Sequence, residues 1–259
     1  MFIQIRYAAV AAGLMLLTAC GSTPNYYIDD VARNQINSTQ VIVNIPQKEI
    51  TAEIEASNVA VAGGGGLLLA LVDVAVESSR ANTAEELIQP IKDSLIETDF
   101  QAIFMEALHK ELAAAPWLNV SATTLVIDPV ENHVDSHYRA SEAEAVLFID
   151  ASYALGANFD SMKGYAVLSM LPKSDTLKQY SEKAGSKKSK ASATHPDNLI
   201  YRDSIAVNRA LSNVTDDKEI NATRWAEQPA VLQAELQAVA ESLAASVVRS
   251  LDTKRAPTA

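Results

Sequence analysis

Residues Ala145 to Leu155 read A-V-L-F-I-D-A-S-Y-A-L: an apolar run, Val146-Leu147-Phe148-Ile149, and then alternation through Ala151, Tyr153 and Leu155. Period-two alternation rich in β-branched and aromatic residues predicts a strand. Gly156-Ala157-Asn158 supplies a turn, and Tyr165 to Leu171 (Y-A-V-L-S-M-L), closed by Pro172, reads as its antiparallel neighbour. Downstream, Leu199 to Val207 is a further strand. Upstream, Val120 to Asp128 is strand-like and broken by Pro129, and Val41-Ile42-Val43-Asn44-Ile45 is a short β-branched strand ending at Pro46. Ile50 to Ala56 fits either a strand or a turn of helix.

Helical periodicity occupies the remaining long segments. Leu87, Ile91 and Leu95 stand four apart with Glu85, Glu86, Lys92 and Asp93 left to solvent. Thr98-Asp99 is a cap, followed by a second stripe of Phe100, Ile103, Phe104, Ala107, Leu108 and Leu112 that stops at Pro116. From about Gln228 to Leu251 a third stripe runs through Val231, Leu232, Leu236, Val239, Leu243, Val247 and Leu251. Strand, helices, four strands, helix is therefore the expected order. Strands that follow one another without helical crossovers pair antiparallel. The fold class is α+β: a two-layer sandwich of a mainly antiparallel sheet, four or five strands wide, with helices packed on one face.

At the N-terminal side, Arg6 precedes an apolar segment from Tyr7 to Leu17, the length of a signal-peptide core and too short to span a bilayer. Leu17-Thr18-Ala19-Cys20 follows it, and Cys20 is the single cysteine of the chain. This resembles the lipobox of Gram-negative outer-membrane lipoproteins. The resemblance implies cleavage of a signal peptide at 1–19, acylation of Cys20 by diacylglycerol and palmitate, and an outer-membrane, periplasm-facing location; Gly21 is not the aspartate of inner-membrane retention. Residues 20–40 read as a lipidated tether, with docking of Tyr26, Tyr27 and Ile28 as the other reading. Residues 41–252 form a single domain and 253–259 a tail. The element order from Val41 to Leu251 is similar to the αβ sandwich of the TolB N-terminal domain, the curli-secretion lipoprotein and the lipoprotein activator of a peptidoglycan synthase.

Two segments interrupt the domain. Gly63-Gly64-Gly65-Gly66 leads into the apolar run Leu67 to Val76, giving a glycine-hinged insertion over about 63–96. A phosphate loop would require lysine and a hydroxyl where Leu67-Leu68 stand. A membrane-inserting segment over 59–76 and a buried helix from Leu67 are the other readings, the buried helix being the plainer. Residues 173–197 form a mobile loop in which Lys183, Lys187, Lys188 and Lys190 cluster.

The formal charge is −11, and removal of 1–19 takes away only Arg6, leaving −12 over 240 residues. Such a charge repels phosphate backbones, so nucleic acid is not an expected partner. His133 and His137 are candidate metal ligands with Asp128 and Asp135 nearby, although E-N-H-V-D-S-H-Y-R after Pro129 reads as a loop and carries no H-E-x-x-H. No G-x-S-x-G is present, and Asp216-Asp217 and Glu142/Glu144 sit in polar stretches. The expectation is a non-enzymatic chain with no catalytic residue, no metal and no cofactor. Its function is that of a lipid-anchored, protein-binding accessory module with an envelope protein as partner; the alternative is a self-assembling secretion or pore component using 59–76.

Overall fold

The computed structural model describes residues 26–28, 30–53, 78–127, 133–181, 194 and 198–253. Cys20, the segment 59–76, Asp128, His195 and the four clustered lysines lie outside them. The described residues belong to one compact unit of the chain, 25–55 with 77–259.

Six strands form one open sheet among the described residues: β1 (Thr39–Asn44), β2 (Thr51–Ala52), β3 (Val120–Val126), β4 (Ala145–Leu155), β5 (Ser161–Pro172) and β6 (Tyr201–Ala210), in the order β3-β1-β4-β5-β6, with β2 also on β4. The two longest ladders, β4–β5 and β5–β6, are antiparallel as expected. Seven α-helices accompany the strands among the described residues: α1 (Asp30–Arg33), α2 (Ser78–Ser94), α3 (Phe100–Leu112), α4 (His133–Ala140), α5 (Asp175–Lys178), α6 (Lys218–Glu227) and α7 (Pro229–Asp252). The α+β reading holds, and the pairing departs from it at β1 and at β2, which lies parallel to β4.

β1 lies parallel to both β3 and β4. The chain therefore crosses from β1 to β3 through α2 and α3, then back past β1 to β4 through α4. Crossovers between parallel strands are right-handed as a rule, so two crossovers running in opposite directions use opposite faces. That is the arrangement found. α2, α3 and α7 pack on the face of Val41, Val43, Leu147 and Ile149, whereas Tyr138 and Val134 of α4 lie on Ile42, Val146 and Phe148. The expected loop at 133–140 is thus a helix, and helices cover both faces at this end of the sheet.

The pattern of β4 records this cover. Residues 145–149 are all buried, because both faces are occupied, and from Asp150 the burial alternates where the outer face opens. α7 is long and apolar enough to cross a membrane by length and composition. Its stripe of Leu232, Leu236, Val239, Leu243, Val247 and Leu251 is buried in the core, while Val231 is exposed. Burial of each such side chain favours the fold by about 1.5–3 kcal/mol. Where α7 crosses β5, a Cβ on Gly164 would stand 3.0 Å from Val207 and from Val239, so glycine is what admits the close approach.

The tether expected over 20–40 is part of the domain from Tyr26 onward. Ile28, Ala32 and Ile36 are buried at a spacing of four and join the main core. Tyr26 pairs with β6: its N–H donates to the Arg202 carbonyl at 2.8 Å, and its carbonyl accepts the Arg202 N–H at 2.9 Å. Arg33 donates to the Leu251 carbonyl at 2.7 Å, pairs with Asp252 and lies over the Trp117 ring, whose Nε1 also donates to Asp252. The polar link before α7 holds α6, which the sequence reading did not expect. It is started by Asp217, whose side chain accepts the N–H groups of Glu219 and Ile220, and held by Trp225, whose Nε1 donates to the Phe159 carbonyl at 2.7 Å.

Candidate functional site

Because β1 and β3 are parallel and end in register at Asn44 and Val126, Ile45-Pro46 and Ile127 emerge together at one end of the sheet. Ligand sites in open sheets gather at this carboxyl end of parallel strands. α3 starts there: Asp99 caps it by accepting the Ala102 N–H at 2.9 Å, and Gln101 Nε2 donates to the Ile45 carbonyl at 2.8 Å. These segments and Tyr153 of β4 enclose a groove of about 350 Å³. Phe100 lies against the Tyr153 ring at 3.9 Å between centroids.

The rim is apolar where solvent reaches it. Ile96 is 84% and Ile127 72% exposed, two of the five large apolar side chains left exposed among the described residues. Tyr153 itself is 4% exposed. Its hydroxyl is pushed up to about 12 by burial first and then by the charges of Asp99 and Glu49. That hydroxyl has no hydrogen-bond partner among the described residues.

The open half of the outer sheet face is a second surface. Glu53 accepts from Lys163 Nζ at 2.5 Å and from the Tyr165 hydroxyl, tying the end of β2 across β4 to β5. Burial, followed by the bond to Glu53, raises the Tyr165 hydroxyl above its ordinary range. β6 is the edge strand here. Beyond the Tyr26 bridge, Ser204, Ala206, Asn208, Arg209 and Ala210 are exposed. The Ser204 N–H is taken by its neighbour Asp203. Ala206 and Asn208 share the outward phase of Arg202, so their peptide groups face away from β5.

The residues singled out from sequence take other roles. His133 and His137 sit one turn apart on α4, half-buried; Asp135 between them accepts from Arg139 and from Thr194. Among the described residues no group of three or more His, Cys, Asp or Glu side chains is placed to hold a metal ion. His109 is exposed on α3. Asp217 caps α6, and Glu144 accepts from Asn37. The groove was not anticipated: its walls come from four segments far apart in sequence, and only the Asp99 cap and the Pro46 stop were legible.

No protein-family model matches the chain, and no curated protein is similar to it in sequence. Among solved structures, a crystal structure of a Xanthomonas campestris protein of family DUF330 aligns with a TM-score of 0.31 at 10% identity, covering 88% of this chain and 90% of that one. A likeness so slight transfers neither fold nor function.

Proposed function

We propose that this chain is a lipid-anchored envelope protein, held in the outer membrane through acylated Cys20, that serves as a non-catalytic binding module for another envelope protein. The observation that carries the reading is the open edge of β6 beside the Tyr26 bridge. Cys20 stands six residues before Tyr26, a length of chain that spans at most about 20 Å. The anchor thereby keeps the β6 edge close to the membrane surface. An exposed strand edge is a template for an added strand, with main-chain bonds giving affinity and the flanking side chains selectivity.

The test is in-cell cross-linking of the full chain followed by mass spectrometry of the adducts, with a proline variant of the edge alongside. Ala206→Pro removes an outward N–H and leaves the β5–β6 ladder intact. The reading expects a distinct envelope protein in the adduct and its loss in the variant. A ladder of self-adducts would favour the assembling alternative, and an adduct unchanged by the variant would take β6 out of consideration.

A further inference from the structure

We propose that the groove beside Tyr153 receives a lysine or arginine side chain flanked by an aliphatic residue, presented by a partner polypeptide. The inference rests on the reading of this chain as a protein-binding module and adds the site and the chemistry of the bound residue.

Buried phenols and indoles elsewhere in the fold are all engaged. The Tyr138 hydroxyl donates to the Pro172 carbonyl, the Tyr201 hydroxyl meets Ser250, and Trp225 donates to Phe159. Tyr153 is the exception among the described residues: it lines the groove, and its hydroxyl makes no hydrogen bond to them and is reached by solvent. A buried phenol ordinarily finds a partner. Here no protein group fills that role, and an incoming donor would displace water from the hydroxyl.

The field at that hydroxyl selects the sign of the group. Glu97 and Asp99 border the groove against one cation, Lys48, and Glu49 acts on the phenol from alongside. Lys92, the other nearby cation, is committed to Glu85 and Glu49. The amino end of α3 would by itself attract an anion, but Asp99 already occupies it as the cap. An ammonium or guanidinium therefore complements the site, donating to the Tyr153 oxygen. Its methylene stem and an aliphatic neighbour fit the walls of Ile45, Pro46, Ile96 and Ile127. A volume of about 350 Å³ suits one or two side chains, at the low end of the ~300–1,000 Å³ of small-molecule pockets. Arginine and tyrosine are also over-represented among the residues that dominate interface energies.

The test uses the full chain in lipid nanodiscs and dye-labelled peptides Gly-Leu-X-Leu-Gly, with X lysine, arginine, glutamine or glutamate, followed by fluorescence anisotropy. Lysine and arginine peptides are expected to bind about tenfold more tightly than glutamine, with glutamate weakest, in line with charged hydrogen bonds exceeding neutral ones. Asp99→Asn keeps a good capping residue and Tyr153→Phe removes only the hydroxyl, so both variants are expected to fold, with circular dichroism as the check. Each should reduce the lysine preference several-fold. Equal binding of all four peptides, preference for glutamate, or a lysine preference untouched by both variants would overturn the proposal. Peptide binding without any protein adduct in cells would instead count against the accessory reading alone.

Discussion

The side-chain amide of Gln47 acts as a peptide group against Tyr153. Its Nε2 donates to the Tyr153 carbonyl at 2.6 Å, and its Oε1 accepts the Tyr153 N–H at 2.9 Å. β1 ends before Pro46 and β2 resumes alongside the same strand at Thr51↔Ala154, so the Gln47 amide fills the gap in the ladder. Gln47→Ala should leave the Tyr153 N–H without a partner and its carbonyl with only the Thr51 hydroxyl at 3.4 Å, and cost about 1–3 kcal/mol in urea unfolding. Gln47→Glu keeps the acceptor but sets a carboxylate oxygen against the Tyr153 carbonyl, and should cost at least as much at neutral pH.

Gly164→Ala should destabilise by about 1–3 kcal/mol, the range of an overpacked core, because Val207 and Val239 already stand where the methyl group would lie. Gly156→Ala should cost at least as much, because a Cβ there would stand 2.4 Å from Ser161 Oγ, which is buried and bonded to Asp160.

Asn221 is fully buried and uses both ends of its amide. Nδ2 donates to the carbonyls of Asn158 and Thr215, and Oδ1 accepts the Thr215 N–H at 2.9 Å. Asn221→Ala is expected to cost about 2–4 kcal/mol, from several buried groups left unpaired. In Asn221→Asp a carboxylate would face two carbonyl oxygens. Its folded-state pKa should rise above the unfolded value, so the stability of that variant should recover as the pH is lowered.

Alkaline pH should weaken the wild-type fold through its buried phenols. Tyr153 is held neutral up to about 12 by burial and by Asp99 and Glu49. Unfolded, it titrates near 10, so between these values the folded state binds more protons and stability falls as the pH rises, by about 1.4 kcal/mol per pH unit. Below pH 10 the effect is absent. Urea midpoints measured from pH 8 to pH 12 should fall less steeply in Tyr153→Phe.

The long strands and the three long helices were legible because each shows its period locally: the alternation of Ala151, Tyr153 and Leu155, and the spacing of Phe104, Leu108 and Leu112. α4 was missed because only Val134 and Tyr138 carry its apolar face, among polar residues that follow Pro129. That omission also made β3 and β4 expected antiparallel neighbours, whereas they run the same way with β1 between them, since the direction depends on a crossover helix. Ile28, Ala32 and Ile36 do show helical spacing, but their sides are decided by the core they join. The groove has no local signature. Its residues are brought together by parallel register, which no single segment encodes.

The Arg33 cluster gives the molecule a defined load path. A pull along the chain from the side of Tyr26 meets two hydrogen bonds to Arg202 first, a weak link that peels from a strand edge. Behind it stands Arg33, which clasps Leu251 and Asp252 at the end of α7, with Trp117 closing the same clasp. Tension that passes the first link is thereby delivered to the axis of the longest helix and spread over the core it fills. The fold would yield in two stages, a soft detachment of the leading residues followed by a stiff resistance, as a shock absorber does between a tether and a rigid body.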